Sequence, residues 1–329
     1  MPSPQPSPSR ANPALPPSPA CGRGRGEGGE GGEGANARPK AINGVLLLDK
    51  PVGLTSNTAL QKAKRLLNAR KAGHTGTLDP FADGLLPLCF GEATKFSAYL
   101  LDADKGYRAV LQLGITTTTG DPEGDVTATR DVNASRADIE AVLPRFTGEI
   151  EQIPPMHSAL KHQGRPLYEY ARAGIDIERP PRKVTIRSIE LLECAPPRVV
   201  LDVRCSAGTY IRTLAQDIGA ALGCGAHLTA LTRTAAGGFA LDAAHTLDEL
   251  AALDIPARQT LLLPPDCLVA HLPAVRLDET AAAALLQGRR IPHAQPATGL
   301  VRVYAGADFL GLAEAGPDGL APRRLVATA

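Results

Sequence analysis

The chain has 329 residues, a formal net charge of +1 and six cysteines. This length allows one large domain and a smaller one, with a core that needs no disulfides. No segment reaches 18 consecutive apolar residues, and the N-terminus lacks the apolar centre of a secretory signal, so we expect neither a membrane span nor secretion. The cysteines show no CxxC pair or zinc-ligand spacing, which favours a reducing compartment, here the cytoplasm, and no metal site.

Residues 1 to 40 are rich in proline and serine and then in glycine and glutamate. Such a composition buries too little apolar surface to offset the entropy lost on ordering, so we predict a disordered tail. Arg23 and Arg25 could contact RNA, but a spacer or a mistaken start codon explains the segment equally well. Organelle targeting is disfavoured because the prolines prevent an amphipathic helix.

The folded part is predicted to begin with a strand from Ile42 to Leu48 and a helix capped by Thr55 or Ser56. Apolar residues recur at helical spacing along that helix. The other positions, and the residues directly after the helix, carry a group of cations: Lys62, Lys64, Arg65, Arg70 and Lys71. This group indicates either a solvated face or a phosphate-rich partner, and composition does not separate the two.

Asp79 lies in a glycine-rich turn within the stretch GHTGTLDPFADGLLPLCFGEATKF, from Gly73 to Phe96. Pro80 restricts the backbone of both residues, so the carboxylate is presented on a stiff loop. The apolar run from Leu85 to Phe90 predicts a buried strand directly after it. A carboxylate in this position suits a nucleophile or an acid/base group. The alternative is an Asx turn in which Asp79 only caps its own loop.

A strand is predicted from Gly106 to Leu113, with Tyr107 at its entrance. The loop that follows contains Asp121, Glu123 and Asp125. Their spacing resembles a calcium loop only loosely, because the downstream glutamate of an EF-hand is missing. We therefore interpret the loop as a polar turn.

The segment from residue 152 to 183 combines cations with Tyr168 and Tyr170 between prolines and glycines. Cations interleaved with aromatic side chains are typical of an excursion that grips a folded nucleic acid. A flexible surface insertion is an equally good explanation of the composition. The cations are Lys161, His162, Arg165, Arg172, Arg179, Arg182 and Lys183.

A helix is predicted after the loop Ser206 to Thr209, with Arg212 in its first turn. A cation is electrostatically disfavoured at a helix N-terminus, so Arg212 should have an acidic partner or an anionic ligand, unless it is simply exposed. Prolines near residue 265 then mark a boundary. The remaining segment, with several strands and one helix, predicts a small β-barrel of the kind that often serves as a binding accessory.

Several motifs together resemble the TruB family of pseudouridine synthases, in the bacterial form that modifies uridine 55 in the T-loop of tRNA. Besides the Asp79 stretch they are DKPVGLTSN, KGYRAVLQLG, QIPPMHSALKHQGRPLYEYARAG, GTYIRTLAQDIG and AHLTALTRT, in the expected order. The resemblance covers residues 42 to about 240, and the C-terminal segment resembles the PUA-like domain of the family. It implies an α+β fold with a central, mostly antiparallel mixed sheet flanked by helices.

The resemblance also implies domains and site residues. The catalytic domain would span residues 41–265, with the RNA-gripping insertion at about 152–183, and the PUA-like RNA-binding domain would span 270–329. Asp79 would be the nucleophile, Tyr107 would stack on the base and Arg212 would pair with Asp79. The residues near the nucleotide would be His74, Tyr210 and Leu231, and those on the RNA would be Lys161, Arg165, Arg172 and Arg182. The family implies a tRNA partner, no cofactor, and a monomer without an obligate protein partner.

Three positions depart from the family pattern. Thr118 stands where aspartate is more common, so Asp121 must serve the polar role of that loop. Asp83 replaces a small or hydroxyl residue and adds a second carboxylate near Asp79. Thr232 stands where a second arginine is common, which weakens one phosphate contact.

Two other functions are compatible with the sequence. A retaining glycosidase would use Asp79 with Asp83 or Glu92, because that reaction also breaks a glycosidic bond with two carboxylates. No second carboxylate has a comparably rigid context, and the cationic stretches favour RNA over a neutral sugar. A tRNA-binding or tRNA-folding protein without catalysis is the other alternative, and the presence of Asp79, Tyr107 and Arg212 argues against it.

Overall fold

The computed structural model describes residues 41–292 and 298–327, so the predicted disordered tail lies outside the described residues. The first strands are β1 (Gly44–Lys50), β2 (Ala72–His74), β3 (Asp83–Phe90), β4 (Lys105–Leu113), β5 (Ile115–Thr117), β6 (Val126–Thr129), β7 (Gly148–Gln152), β8 (Lys161–His162) and β9 (Arg165–Pro166). They are followed by β10 (Arg182–Ala195), β11 (Arg198–Cys205), β12 (Ala226–Ala236), β13 (Phe239–Ala240), β14 (Ala274–Leu277), β15 (Gly299–Ala305), β16 (Asp308–Gly316) and β17 (Gly319–Leu325). The helices are α1 (Ser56–Leu66), α2 (Ser97–Leu101), α3 (Arg136–Val142), α4 (Leu167–Arg172), α5 (Ile211–Ala221), α6 (Leu247–Ala252), α7 (Ile255–Thr260) and α8 (Glu279–Leu286).

The larger sheet has nine strands within the described residues. Its order is β1-β3-β12-β4-β11-β10-β7, with β2 beside β3 and β13 beside β12. Strands β3 and β12 pair in parallel, whereas the other neighbours pair antiparallel. The predicted α+β class with a mostly antiparallel mixed sheet is confirmed.

Strand β12 is longer than the sequence pattern indicates, since that pattern predicts only short strands around the turn at Gly237 and Gly238. The strand runs for 11 residues and pairs with β4 along most of its length. Its register shifts between Leu228 and Ala230, and again between Arg233 and Ala235. Each shift breaks the alternation of buried and exposed residues, which is why the pattern conceals one continuous strand.

Successive side chains of β1 point to opposite faces of the sheet, and they contact two separate layers of the core. Leu46 and Leu48 face the layer that α1 and α5 cover, whereas Val45 and Leu47 face the opposite layer, which includes residues of the C-terminal part. Helix α1 begins after Thr55, whose side chain accepts a hydrogen bond from the Thr58 amide, as the sequence predicts. The sheet is therefore buried on both faces at β1 and β3.

The C-terminal segment forms its own four-stranded sheet, β14-β15-β16-β17, with a separate apolar core under α8. Lys95 donates a hydrogen bond of 2.9 Å to the Leu325 carbonyl, and the Ala327 amide donates one of 2.6 Å to Glu92. The β-rich C-terminal part is confirmed, whereas its PUA-like role in RNA binding stays a prediction.

None of the described helices is both long and apolar enough to cross a membrane. The described cysteines are free thiols, and Cys89, Cys205 and Cys224 are buried. Cys21 lies outside the described residues.

Candidate active site

A cavity of about 300 Å³ opens where the Asp79 loop, β4, β12 and the start of α5 meet. Its walls include five residues that the sequence singles out, although they come from four distant segments: Asp79, Tyr107, Tyr210, Arg212 and Leu231. The structure therefore brings the predicted nucleophile, its predicted cation and three of the side chains predicted to contact the nucleotide into one cavity.

The loop that carries Asp79 is braced from the start of α1. The Ser56 hydroxyl accepts a hydrogen bond of 2.7 Å from the Leu78 amide and donates one of 2.9 Å to the Leu78 carbonyl. The Gly53 amide donates to the Pro80 carbonyl at 2.7 Å. Ser56 is buried, so these contacts are protected from water and hold the backbone on both sides of Asp79.

Arg212 is the cation of the site, and its side chain is only 5% exposed. Its Nε lies 3.1 Å from Asp79 Oδ2, and its Nη1 lies 3.1 Å from Asp121 Oδ2. It also donates to the Thr119 and His157 carbonyls, at 3.1 and 2.7 Å. The expectation that a cation at this helix N-terminus has an acidic partner is confirmed.

Asp121 is a member of the site that the sequence analysis assigned only a polar loop role. Its carboxylate is 3% exposed and accepts hydrogen bonds from the Thr119 hydroxyl and, at 3.0 Å, from the Glu123 amide. These turn contacts orient the other carboxylate oxygen toward Arg212. Thr118, by contrast, accepts a bond from the Asp125 amide within the loop. The described residues contain no group of three or more potential ligands that could hold a metal ion.

Burial raises the pKa of Asp79 above its ordinary value of 3.8, and the Arg212 guanidinium opposes this rise. The neighbouring Asp121 carboxylate adds to it. The net direction is upward, because the loss of hydration outweighs the attraction of the shared guanidinium. Arg212 therefore opposes the rise in pKa that burial and Asp121 cause at Asp79.

Two buried cations near Asp79 were not singled out by the sequence analysis. Lys50 is fully buried and donates to the Pro51 and Leu54 carbonyls at 2.9 and 2.7 Å. Burial lowers its pKa to about 8. Arg233 is 1% exposed and lines the cavity itself. It directly follows Thr232, one of the three positions that depart from the family pattern.

Tyr210 and His74 have different relations to the cavity. Gln152 holds the backbone of Tyr210 by accepting from its amide at 3.0 Å and donating to its carbonyl at 3.2 Å. His74 lies on β2 and is not among the residues that line the cavity. Its Nδ1 is buried without a partner among the described residues, and burial lowers the pKa of its imidazole. The proposed contact of His74 with a nucleotide stays a prediction.

The insertion lies between β7 and β10 and contains the small β8–β9 hairpin and α4. Its predicted RNA-contacting cations are all exposed: Lys161, Arg165, Arg172 and Arg182. Arg165 lies 5.1 Å from the centre of the Tyr170 ring, and Arg172 lies 5.4 Å from that of Tyr168. Ser158 and Ala159, at the base of the insertion, line the cavity.

The carboxylates that a glycosidase would need lie elsewhere. Asp83 lines a different cavity of about 580 Å³ together with Asp49 and Lys50. Glu92 forms an ion pair with Lys95 at 2.5 Å. Neither side chain is among those that line the Asp79 cavity.

Comparisons with known proteins show the family of the chain. The chain matches the model described as TruB family pseudouridylate synthase (N terminal domain) over residues 64–211, and two TruB C-terminal models over 212–270 and 273–326. It is 74% identical to tRNA pseudouridine synthase B of Thiobacillus denitrificans over 88% of this chain and 97% of that protein. It is 58% identical to the protein of the same name from Chromobacterium violaceum over 87% and 95%.

Two solved structures share the fold. A Cbf5-Nop10-Gar1 complex contains a chain with a TM-score of 0.63 and 33% identity, matched over 83% of this chain and 78% of that one. An H/ACA RNP bound to a substrate RNA containing 2'-deoxyuridine gives a TM-score of 0.64 and 28% identity, over 86% and 84%. The fold is that of the pseudouridine synthases. Within them, the chain belongs to the TruB family.

Proposed function

We propose that this protein converts uridine 55 in the T-loop of tRNA to pseudouridine, with Asp79 as the catalytic group. The observation that carries the proposal is the Asp79–Arg212 ion pair, which faces a cavity also lined by Tyr107 and Tyr210. Relatives at 74% and 58% identity are named tRNA pseudouridine synthase B, which supports tRNA as the substrate.

The reaction is an isomerisation that needs no redox step. The bond between N1 of uracil and C1′ of ribose breaks, the base turns, and C5 forms a new bond with C1′. The C5 proton is lost and N1 gains a proton, so atoms and electrons balance. Asp79 begins this sequence by attacking C1′, by adding to C6 or by removing a sugar proton, and its ionised form is required in each case.

The cavity places constraints on how the substrate enters. A uridine within a folded loop must leave its stack before a carboxylate inside a cavity can reach it, at a cost of roughly a few kcal/mol. Tyr107 and Tyr210 offer aromatic side chains at the cavity wall. The exposed cations of the insertion would contact the phosphates of the surrounding arm. The β-rich C-terminal part would add a further RNA contact as a PUA-like domain.

Release of the C5 hydrogen tests the proposal directly. A tRNA transcript labelled with tritium at uridine C5 is incubated with wild-type protein and with Asp79→Asn, and both are assayed for tRNA binding. We expect release by wild type only, with binding retained by both. A transcript with cytidine at position 55 should lose the release that depends on the enzyme.

The outcomes separate the alternatives. Release by Asp79→Asn at the wild-type rate would refute the role of Asp79. Tight binding by wild type without any release would favour a tRNA-folding protein that lacks catalysis. Release that persists from the position-55 variant would assign a different target nucleotide.

A further inference from the structure

Arg233 is a buried cation on β12 whose charge has no obvious structural use. It is 1% exposed, and no carboxylate of the described residues forms an ion pair with it. A buried charge without a counter-ion costs folding free energy, and an apolar side chain would fill a strand position more cheaply. The cost suggests that the guanidinium is needed for its hydrogen bonds.

Those hydrogen bonds connect separate parts of the site. The Nε of Arg233 donates to the Leu85 carbonyl on β3 at 2.7 Å, and Nη2 donates to the Gly76 carbonyl at 3.3 Å. Gly76 lies three residues before Asp79, on the same loop. The guanidinium therefore holds the loop of the nucleophile against the sheet.

The same guanidinium reaches Tyr107. Arg233 and Tyr107 are direct partners in the antiparallel pairing of β12 with β4, so their side chains emerge on the same face. Both side chains line the cavity, where the Arg233 guanidinium lies beside the Tyr107 phenol. Burial raises the pKa of that phenol above its ordinary value of 10, and the Arg233 charge opposes the rise, so the phenol is protonated in the neutral range.

We propose that Arg233 is a positioning residue that holds the Tyr107 ring in a fixed place relative to the Asp79 loop. The inference rests on the proposed function, in which Tyr107 stacks on the reacting base. A planar guanidinium has donors in several fixed directions, so it can bond to the Gly76 and Leu85 carbonyls and still face the Tyr107 phenol. Lysine keeps the charge but cannot hold this geometry.

A double-mutant cycle tests the proposal with Arg233→Gln, Tyr107→Phe and the combined variant, using C5 hydrogen release. Arg233→Gln should lower kcat about 10- to 100-fold, because a displacement of about 1 Å near the reacting atoms has effects of this size, while the Kd for tRNA stays nearly unchanged. In the Tyr107→Phe background the same change should have a much smaller effect, since the phenol oxygen that the guanidinium faces is already absent. Arg233→Lys should resemble Arg233→Gln.

Arg258 provides a matched control. Like Arg233, it donates to backbone carbonyls, in this case those of Leu66, Leu250 and Ala251, but it does not line the cavity. Arg258→Gln should lower the midpoint of thermal unfolding and leave kcat unchanged. If Arg233→Gln does not fold, Tyr107→Phe and Arg233→Lys examine the same contact from its two sides with smaller changes.

Two results would overturn the proposal. One is an equal fold-change of kcat from Arg233→Gln in both backgrounds. The other is a loss of tRNA affinity and of salt dependence with kcat unchanged, which would mean that Arg233 binds a phosphate directly. If wild type releases no C5 hydrogen, the proposed function fails. The positioning contact is then still judged by the coupling of the two variants in denaturant unfolding, and additive effects on unfolding would refute it.

Discussion

Arg212 is shared between two carboxylates, and this sharing affects the pKa of the proposed nucleophile, Asp79. Asp79 and Asp121 both lie 3.1 Å from the guanidinium, but Asp121 is almost fully buried and Asp79 is 35% exposed. Asp121 therefore anchors Arg212 from the closed side, whereas Asp79 faces the cavity. Asp79 then needs Arg212 to offset a burial that raises its pKa.

The pH dependence of turnover follows from this arrangement. In the proposed mechanism Asp79 acts as the carboxylate, so kcat should be constant above its pKa and fall about tenfold for each pH unit below it. The pKa of Asp79 lies above 3.8, so the acid limb of the profile should fall at a higher pH than an ordinary aspartate would give. Arg212→Gln removes the opposing charge, so the acid limb should move to higher pH.

The measurement is single-turnover C5 hydrogen release across pH, with tRNA binding followed in parallel. At the pH optimum, Arg212→Gln should lower kcat roughly 100-fold or more and change the Kd for tRNA much less, because the lost contact is inside the site. A defect in binding alone, or an acid limb that moves to lower pH, would contradict the pairing. Thr213→Ser serves as the control on the same helix, since it leaves the Arg212 contacts in place.

Among single residues, the sequence alone identified those whose role is indicated by their immediate neighbours in the chain. Asp79 stood out because glycines and Pro80 surround it, and the acidic partner of Arg212 could be expected from its position at the start of a helix. Asp121 and Arg233 could not be assigned, because their importance depends on contacts with residues far along the chain. A turn carboxylate and a strand arginine have no local feature that separates a site residue from a solvated one.

Among the elements, the parallel contact between β3 and β12 has the strictest geometric requirement. Gly84 has a φ of +94°, and a Cβ at this position would lie 2.5 Å from the Arg233 carbonyl oxygen and 2.8 Å from its amide nitrogen. The contact is with backbone, so a side-chain adjustment cannot relieve it. The sequence indicated a strand here but not its parallel neighbour, because β12 is interrupted by two bulges.

Gly84→Ala should therefore destabilise the fold by roughly 2–4 kcal/mol, from backbone strain and overpacking together. Gly53→Ala is the matched control, because Gly53 has a similar φ of +85° with no atom within 4 Å of the added Cβ. The control should lose only about 1–2 kcal/mol from the φ angle. Denaturant unfolding of both variants measures the difference. Equal losses would show that β3 and β12 can separate enough to admit a methyl group.

At the scale of the whole molecule, charge is distributed unevenly although the net charge is only +1. The insertion presents exposed cations, and its base reaches the catalytic cavity. The composition of this segment was visible in the sequence, but its attachment to the cavity was not. The cavity is assembled from residues more than 100 positions apart, such as Asp79 and Arg212. A long RNA arm could therefore contact the insertion while one of its nucleotides enters the site.

Arg165 and Arg136 allow a matched test of this RNA surface. Each is an exposed arginine in an i,i+4 ion pair, with Glu169 and Glu140, and their side chains are 62% and 57% exposed. Only Arg165 belongs to the insertion. Arg165→Gln should weaken tRNA binding and reduce the slope of log K against log salt concentration by about 0.7–0.9, the value for one lost phosphate contact. Arg136→Gln should change neither quantity, because exposed ion pairs of this kind contribute little on their own. Titrations of both variants at several salt concentrations decide the matter, and an unchanged slope for Arg165→Gln would remove that arginine from the RNA-binding surface.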